Sequence, residues 1–351
     1  MFNNLTLENL AAFQQLQWQQ HERLNLIIGE NDSGKTHLLK LLYGIARSLE
    51  DYQKRGNNDP SLSWQAVLAD KLRWIFQPPA LELGKLVHKG KSQLSVTTQL
   101  TNDNINLSFS FGEKTTRKII KFTPQFVAIT TPINALFLPP KEIMTVMDAV
   151  EATRSQLEII GFDDTYLDLI KALRLPVSRG KLHQHLKTAV ELLDEQMGKG
   201  QIEIEQNEFM FKRGHEKYTM SQTAEGIKKI GILNRLIKNR MLKPGSILFV
   251  DEPEVNLHPK AIVALVDIFF LLAQQAGIQI YLATHNYFVL RRFEWLARKH
   301  NESIGLCSLF RSPKNGVVAE FYNLRDGMPS NPIIDVSIEL YEQNVILDFE
   351  T

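Results

Sequence analysis

The chain has 351 residues, 44% of them hydrophobic, which is enough for one large domain with insertions or about two domains. Forty Lys and Arg against 39 Asp and Glu exclude a global field that would single out nucleic acid or an anionic membrane. One cysteine, Cys307, excludes an internal disulfide and a Cys-rich zinc site, and the absence of a basic N-terminus with a signal-type apolar core points to a reducing cytoplasm.

In chain order, Leu5, Leu7, Leu10, Phe13, Leu16 and Trp18 predict two short strands around a turn, leading into an apolar strand, Leu24 to Ile28. Next comes Gly29-Glu30-Asn31-Asp32-Ser33-Gly34-Lys35-Thr36, opening a helical pattern from His37 to Arg47. Between a buried strand and an amphipathic helix, this is a phosphate-binding loop. The glycines let backbone N–H groups point at β- and γ-phosphates, Lys35 adds a charge, and the Thr36 hydroxyl suits Mg²⁺. The implied ligand is a nucleoside triphosphate. Residues 56–60 break the pattern; Trp64 to Phe76 resumes it until Pro78-Pro79.

From about Leu94 to Leu138 the stretches LSVTTQL, INLSFSF, KIIKF and ALFL are β-branched or aromatic and alternate. They predict antiparallel strands in a β subdomain, with turns at Asn102-Asp103-Asn104 and Gly112-Glu113. Pro140 to Gln196 reads as a helical lobe built from LEII, YLDLIKAL and LKTAVELLDEQM, with no heptad repeat long enough for a coiled-coil arm. A hairpin over Ile202 to Arg213 precedes Tyr218 to Gly226, and Ile227, Ile230, Leu233, Leu236 and Ile237 then line a helix ended by Pro244-Gly245. The apolar stretch Ala261 to Ala276 carries Asp267, Gln274 and Gln275 and falls short of the about 20 residues of a membrane span. A soluble helix is expected, and no membrane partner.

The second chemical motif is Ile247-Leu248-Phe249-Val250-Asp251-Glu252-Pro253-Glu254, a buried strand ending in carboxylates where α/β sheets hold ligands. Asp251 is placed to reach Mg²⁺, directly or through water, and Glu252 to orient and deprotonate an attacking water. A third strand, Ile278 to Ala283, ends in Thr284-His285-Asn286, which puts His285 within reach of a γ-phosphate.

These residues resemble ATPases of the ABC superfamily, in particular the bacterial SMC-like and OLD-like AAA family: GENDSGKT as Walker A, ILFVDE as Walker B, EPEVNLHP running into the D-loop and ATHN as the switch-histidine loop. The resemblance implies an α/β fold, an ABC-ATPase head of the P-loop NTPase class with a mixed central sheet, an antiparallel β subdomain and a helical lobe. It divides the chain into residues 1–139, 140–200 and 201–351 of one composite ATPase domain. It further implies ATP and Mg²⁺ as cofactors: Gly29 to Thr36 bind phosphate, Thr36 and Asp251 hold the metal, Glu252 is the catalytic base and His285 senses the γ-phosphate. FLPPKE, Phe137 to Glu142, resembles another block of the family and has no derived role.

The signature loop departs from the family's LSGGQ. The matching stretch is Met220-Ser221-Gln222-Thr223-Ala224-Glu225-Gly226, in which Gly226 is kept and Ala224 stands where the serine belongs. Either the hydroxyl contact to the partner's γ-phosphate is missing or Ser221 or Thr223 supplies it. The helix behind, with Lys228 and Lys229, brings its dipole and positive charge toward that position. The expectation is a homodimer closing on ATP with slow hydrolysis. Gln77 and Gln93 both remain candidates for the Q-loop glutamine.

Sixty-six residues follow His285 without a DxD, so nuclease chemistry of the Toprim kind is not expected in this chain. Ile304 to Phe310 and Val317 to Tyr322 read as closing strands, and Asn331-Pro332 opens a helical end. By family analogy the favoured role is an ATPase subunit switching a separately encoded effector, a nuclease for choice, in anti-phage defence. A RecF-like DNA repair ATPase is the alternative, with Lys114, Arg117, Lys118, Lys121 and Arg291, Arg292, Arg298, Lys299 as its DNA-facing cations. A transporter's nucleotide-binding subunit is the third reading.

Overall fold

A computed structural model describes the chain except for residues 57–58, 60, 101–104, 126–130, 207, 313–315 and 351 and the side chains of 348–350. In order the elements are β1 (Phe2–Leu10), β2 (Phe13–Trp18), β3 (Leu24–Gly29), α1 (Lys35–Gly56), α2 (Trp64–Phe76), β4 (Gln93–Leu100), β5 (Ile105–Gly112), β6 (Lys121–Gln125), β7 (Ala135–Leu138), α3 (Met147–Glu151), α4 (Asp164–Arg174) and α5 (Gln184–Gln196). There follow β8 (Gln201–Glu205), β9 (Glu208–Arg213), β10 (Glu216–Thr219), α6 (Glu225–Lys238), β11 (Ile247–Asp251), α7 (Pro259–Gln274), β12 (Gln279–Thr284), α8 (Tyr287–His300), β13 (Gly305–Ser312), β14 (Gly316–Asn323) and α9 (Pro332–Glu350).

Eleven strands form one mixed sheet in the order β6-β5-β4-β1-β2-β14-β13-β3-β12-β11-β7, and β10-β9-β8 form a small antiparallel sheet. Strands β7, β11, β12, β3 and β13 run parallel to one another. Strands β3, β11 and β12 are buried at every position, as expected of parallel strands covered on both faces. Their side chains divide with period two. Leu24, Leu26 and Ile28 join a core with α4 to α8, whereas Ile27 joins one with α1, α2 and the antiparallel strands.

Several elements differ from expectation. α1 continues past Arg47 to Gly56, because Ile45, Ala46 and Leu49 keep an apolar face on the sheet. ALFL forms β7 and pairs in parallel with β11, not with the antiparallel set, a partner chosen across more than 100 residues that local alternation does not reveal. LEII is not helical: after α3 the chain makes one wide turn, with Ile159 N–H donating to Thr153 O at 2.9 Å, and Leu157 is 62% exposed. α6 stops at Lys238, before Pro244, where Asn239 N–H bonds back to Arg235 O and Ile237 O. Residues 102–104 lie outside the described residues. No helix among the described residues is long and apolar enough to cross a membrane.

Candidate active site

The parallel strands place their C-terminal ends on one edge. In register, Asp251 stands beside Ala283, Thr284 beside Ile28 and Leu309 beside Gly29, so the segments that follow become neighbours. The loop after β3 then turns tightly. A side chain at Gly29 would stand 2.4 Å from Leu309 O and 2.6 Å from Ser33 Oγ, and one at Gly34, where φ is +89°, 2.8 Å from the Phe13 ring. Only glycine fits either position. Asp32 takes a left-handed conformation at φ 63°. Arg311, at the end of β13, donates to its carbonyl at 2.9 Å and also pairs with its carboxylate.

Lys35 starts α1 and folds back so that Nζ donates to Gly29 O at 2.8 Å and Glu30 O at 2.9 Å. Burial lowers its pKa, against the raising charges of Glu252, Asp251 and Glu254. The Thr36 hydroxyl donates to Asp251 Oδ2 at 2.9 Å, joining the loop to the tip of β11. Asp251 is buried, and burial pushes its carboxyl up to about 6, with Glu252's charge adding to the rise and Thr36, Lys40 and Lys35 opposing it. Its Oδ1 has no hydrogen-bond partner among the described residues, nor has Ser33 Oγ. A buried carboxylate oxygen lacking a donor, next to a hydroxyl, suits a hard divalent cation with oxygen ligands. Thr36 and Asp251 therefore fit Mg²⁺.

Glu252 leaves the strand at φ 48°, a left-handed conformation that costs a non-glycine residue of order 1–3 kcal/mol and is tolerated where the surroundings fix it. Its N–H donates to Ala283 O at 3.0 Å, and Oε1 lies 3.1 Å from His285 Nδ1. Both side chains are partly open to solvent, so a water can reach Glu252. Glu254, not singled out as a site residue from the sequence, is buried: it accepts from the Thr284 hydroxyl at 2.6 Å, and its Oε2 has no partner among the described residues. Burial raises its pKa. The third carboxylate of DEPE was the signal for it.

Strand β7 stands next to β11, so the Lys141-Glu142 end of FLPPKE flanks Asp251. A cavity there is lined by Pro139, Lys141, Glu142, Lys229, Asp251 and Pro253 among others. The signature segment belongs to a different group. Ser221 stands in a short 3₁₀ turn with Oγ 2.8 Å from Thr219 Oγ1, and a side chain at Gly226 would meet Leu257 at 2.9 Å. Lys228 and Lys229, expected to bring positive charge toward the signature position, are engaged within the fold. Lys228 is buried against Glu225 at 3.0 Å and Glu142 at 3.6 Å; Lys229 Nζ is buried, with its pKa lowered first by burial and raised in turn by Glu254, Glu225, Glu252 and Glu142. The fold therefore turns both inward. Gln77 ends α2 and spans to the next lobe, donating to Phe162 O at 3.0 Å and accepting from Gly161 N–H at 3.3 Å; Gln93 is exposed at the start of β4.

The model of the family described as "AAA domain, putative AbiEii toxin, Type IV TA system" matches residues 82–291. Among solved structures, an Smc head bound to the C-terminal winged-helix domain of ScpA aligns over 93% of this chain and 99% of its own, at 11% identity and a TM-score of 0.54. An Smc head domain with an extended coiled coil, bound to the C-terminal domain of ScpA derived from Pyrococcus furiosus, aligns over 97% and 99%, at 11% identity and a TM-score of 0.51. At such identities the likeness concerns the fold, which is that of an SMC head. No curated protein sequence matches the chain.

Proposed function

The chain belongs to the AAA-domain family described as a putative AbiEii toxin of a type IV toxin–antitoxin system and is an ABC-type, SMC-like ATPase; from that premise we propose that it is a slow, Mg²⁺-dependent ATP switch that dimerises to control another protein. The observation that carries this reading is the convergence of Gly29 to Thr36, Asp251, Glu252 and His285 on one sheet edge, tied by the Thr36 to Asp251 hydrogen bond of 2.9 Å.

In this reading the N–H groups of the loop and the start of α1 cradle the phosphates, and Lys35 exchanges its two carbonyl acceptors for phosphate oxygens. Thr36 and Asp251 would hold Mg²⁺, which would neutralise charge on the phosphates. Glu252 accepts a proton from the attacking water, and His285 orients Glu252 and faces the terminal phosphate. Asp251, whose charge burial makes costly, would be favoured in its ionised form by a cation held there.

Two copies close around two nucleotides, each covering the other's ATP with Ser221 to Gly226. Ala224 caps α6 with backbone only, which supports slow turnover and a long-lived closed state. The effector is encoded separately, a nuclease for choice, and acts in cytoplasmic anti-phage defence, a reading that rests on family analogy. Its docking surface is the lobe of residues 140–200, where Leu157, Ile159 and Ile160 are exposed together.

Glu252→Gln should keep ATP binding and hydrolyse at least about a hundredfold more slowly. Sedimentation of that variant should show a mass that doubles with ATP. Unchanged turnover removes the base, and a mass indifferent to ATP removes the dimer.

A further inference from the structure

The chain's near-neutral charge conceals a strongly basic corner. The turn 88–92 and the segment 112–121 are joined by the β4–β5 pairing of Gln93 with Gly112 and by the bond from Glu113 N–H to Ser92 O at 3.0 Å. These fifteen residues hold Lys89, Lys91, Lys114, Arg117, Lys118 and Lys121 against one acid, Glu113. That is a net +5 in a chain whose net charge is +1, which leaves −4 for the rest. All six cations are exposed. Among the described residues none of them stands in an ion pair, whereas the neighbouring Lys85 is paired with Glu82 at 3.7 Å.

We propose that this corner binds the phosphate backbone of a double-stranded nucleic acid without reading its sequence. Six unpaired cations on two adjoining backbone segments offer several phosphate contacts and almost no stacking or base-reading groups, which is the composition of a backbone contact. An anionic lipid surface fits less well, because Ile120, 70% exposed, is the one large aliphatic side chain presented among them. Lysine on an edge strand also deters unwanted strand pairing, but only Lys121 stands in β6, and the other five stand in connecting segments outside the strands.

The other basic cluster carries less. On α8, Arg292 makes two bonds to Asp267 at 2.7 and 2.8 Å, Arg291 pairs with Glu294 at 2.9 Å, and Arg298 lies 3.6 Å from the same glutamate. Those charges are spent within the fold. The corner at 88–121 also lies at the phosphate-loop end of the sheet: Ala11 N–H donates to Leu86 O at 2.8 Å, His88 Nδ1 is 2.6 Å from Ala11 O, and Phe13 packs beneath Gly34.

The test is fluorescence anisotropy of the full chain with a labelled 30-base-pair DNA duplex, an RNA duplex of the same sequence, and vesicles containing phosphatidylserine, without nucleotide. About five phosphate contacts predict that log affinity for duplex DNA falls with log salt at a slope of about −4.5, a loss of about 500-fold between 50 and 200 mM. The fourfold variant Lys89→Glu, Lys91→Glu, Arg117→Glu, Lys118→Glu should weaken duplex binding at least about thirtyfold at 50 mM salt and flatten the slope by about four. Its circular dichroism and thermal midpoint should stay those of the wild type, which separates lost contact from lost fold. Equal binding of both duplexes, or preference for either, upholds the proposal and names the source. It is overturned by absence of duplex binding at 50 mM salt, by binding to vesicles but not to either duplex, or by loss of binding in Arg298→Glu, Lys299→Glu instead. Because nucleotide is left out, the result is independent of the ATPase reading.

Discussion

Two clusters of charge lie on either side of the first helix, and they are built on opposite rules. Beneath α1, Lys71 Nζ stands 3.1 Å from both Asp164 and Asp168, Arg47 is 3.3 Å from Asp51 and 3.5 Å from Asp168, and the Tyr43 hydroxyl donates to Asp168 at 2.8 Å. Every carboxylate there faces a cation of the chain itself. At the start of the same helix, Asp251, Glu254 and Ser33 each keep a buried oxygen with no partner among the described residues. A buried network whose carboxylates are all met by the chain's own cations holds α1, α2 and α4 together, with only Arg47 Nε left without a hydrogen bond among the described residues, whereas the carboxylates with open oxygens are placed for a ligand.

Breaking the first cluster should have the largest effect. Lys71→Met leaves Asp164 and Asp168 short of a cation and should cost about 3–5 kcal/mol in denaturant unfolding. Burial alone would raise the Asp168 carboxyl, but Lys71 and Arg47 outweigh it and bring it down to about 2. A depressed acid stabilises the fold above its unfolded value, so this contribution should fade as pH falls from about 4 toward 2, as acid unfolding followed by circular dichroism would show.

The second cluster predicts the opposite sign. Since burial holds the Asp251 carboxyl at about 6 in the fold, its charge opposes folding above that pH and costs nothing below about 4. Asp251→Asn should therefore stabilise the nucleotide-free chain at pH 7.5, by on the order of 3 kcal/mol at most, and make no difference at pH 4. The same variant should lose Mg²⁺-dependent hydrolysis. Destabilisation at pH 7.5 would place Asp251 with the structural charges.

A smaller effect sharpens the contrast at the loop. Asp32 puts a carboxylate into a phosphate-binding turn, and Arg311 pairs with it at the surface. Arg311→Ala should weaken ATP binding about twofold to threefold, the modest effect of a solvent-exposed pair. In an Asp32→Gly background the same change should do nothing; equal losses in both backgrounds would show that Arg311 does not act through Asp32.

What could be seen in the sequence was contiguous. The glycine loop, the strand ending in Asp251-Glu252 and the His285 tip each occupy a few adjacent residues, and the parallel edge gathers them as strand logic requires. The missing parts depend on partners far apart in the chain: β7 beside β11, Arg311 against Asp32 across 279 positions, Lys71 under a helix 20 residues earlier. Lys228 and Lys229 show the same limit, since a helical pattern puts residues on faces but does not say that Glu142 and Glu254 lie behind them. The one-residue-in-two pattern of ALFL fitted an antiparallel strand equally well, and only its pairing partner separates the two cases.

The most direct measurement is calorimetric titration of ATP into the wild-type chain and into Lys35→Ala, each with and without Mg²⁺. The unsatisfied edge predicts that ATP binds one site per chain, at least about tenfold tighter with Mg²⁺, and that Lys35→Ala abolishes binding. Equal affinity with and without Mg²⁺, unchanged in Lys35→Ala, would contradict it.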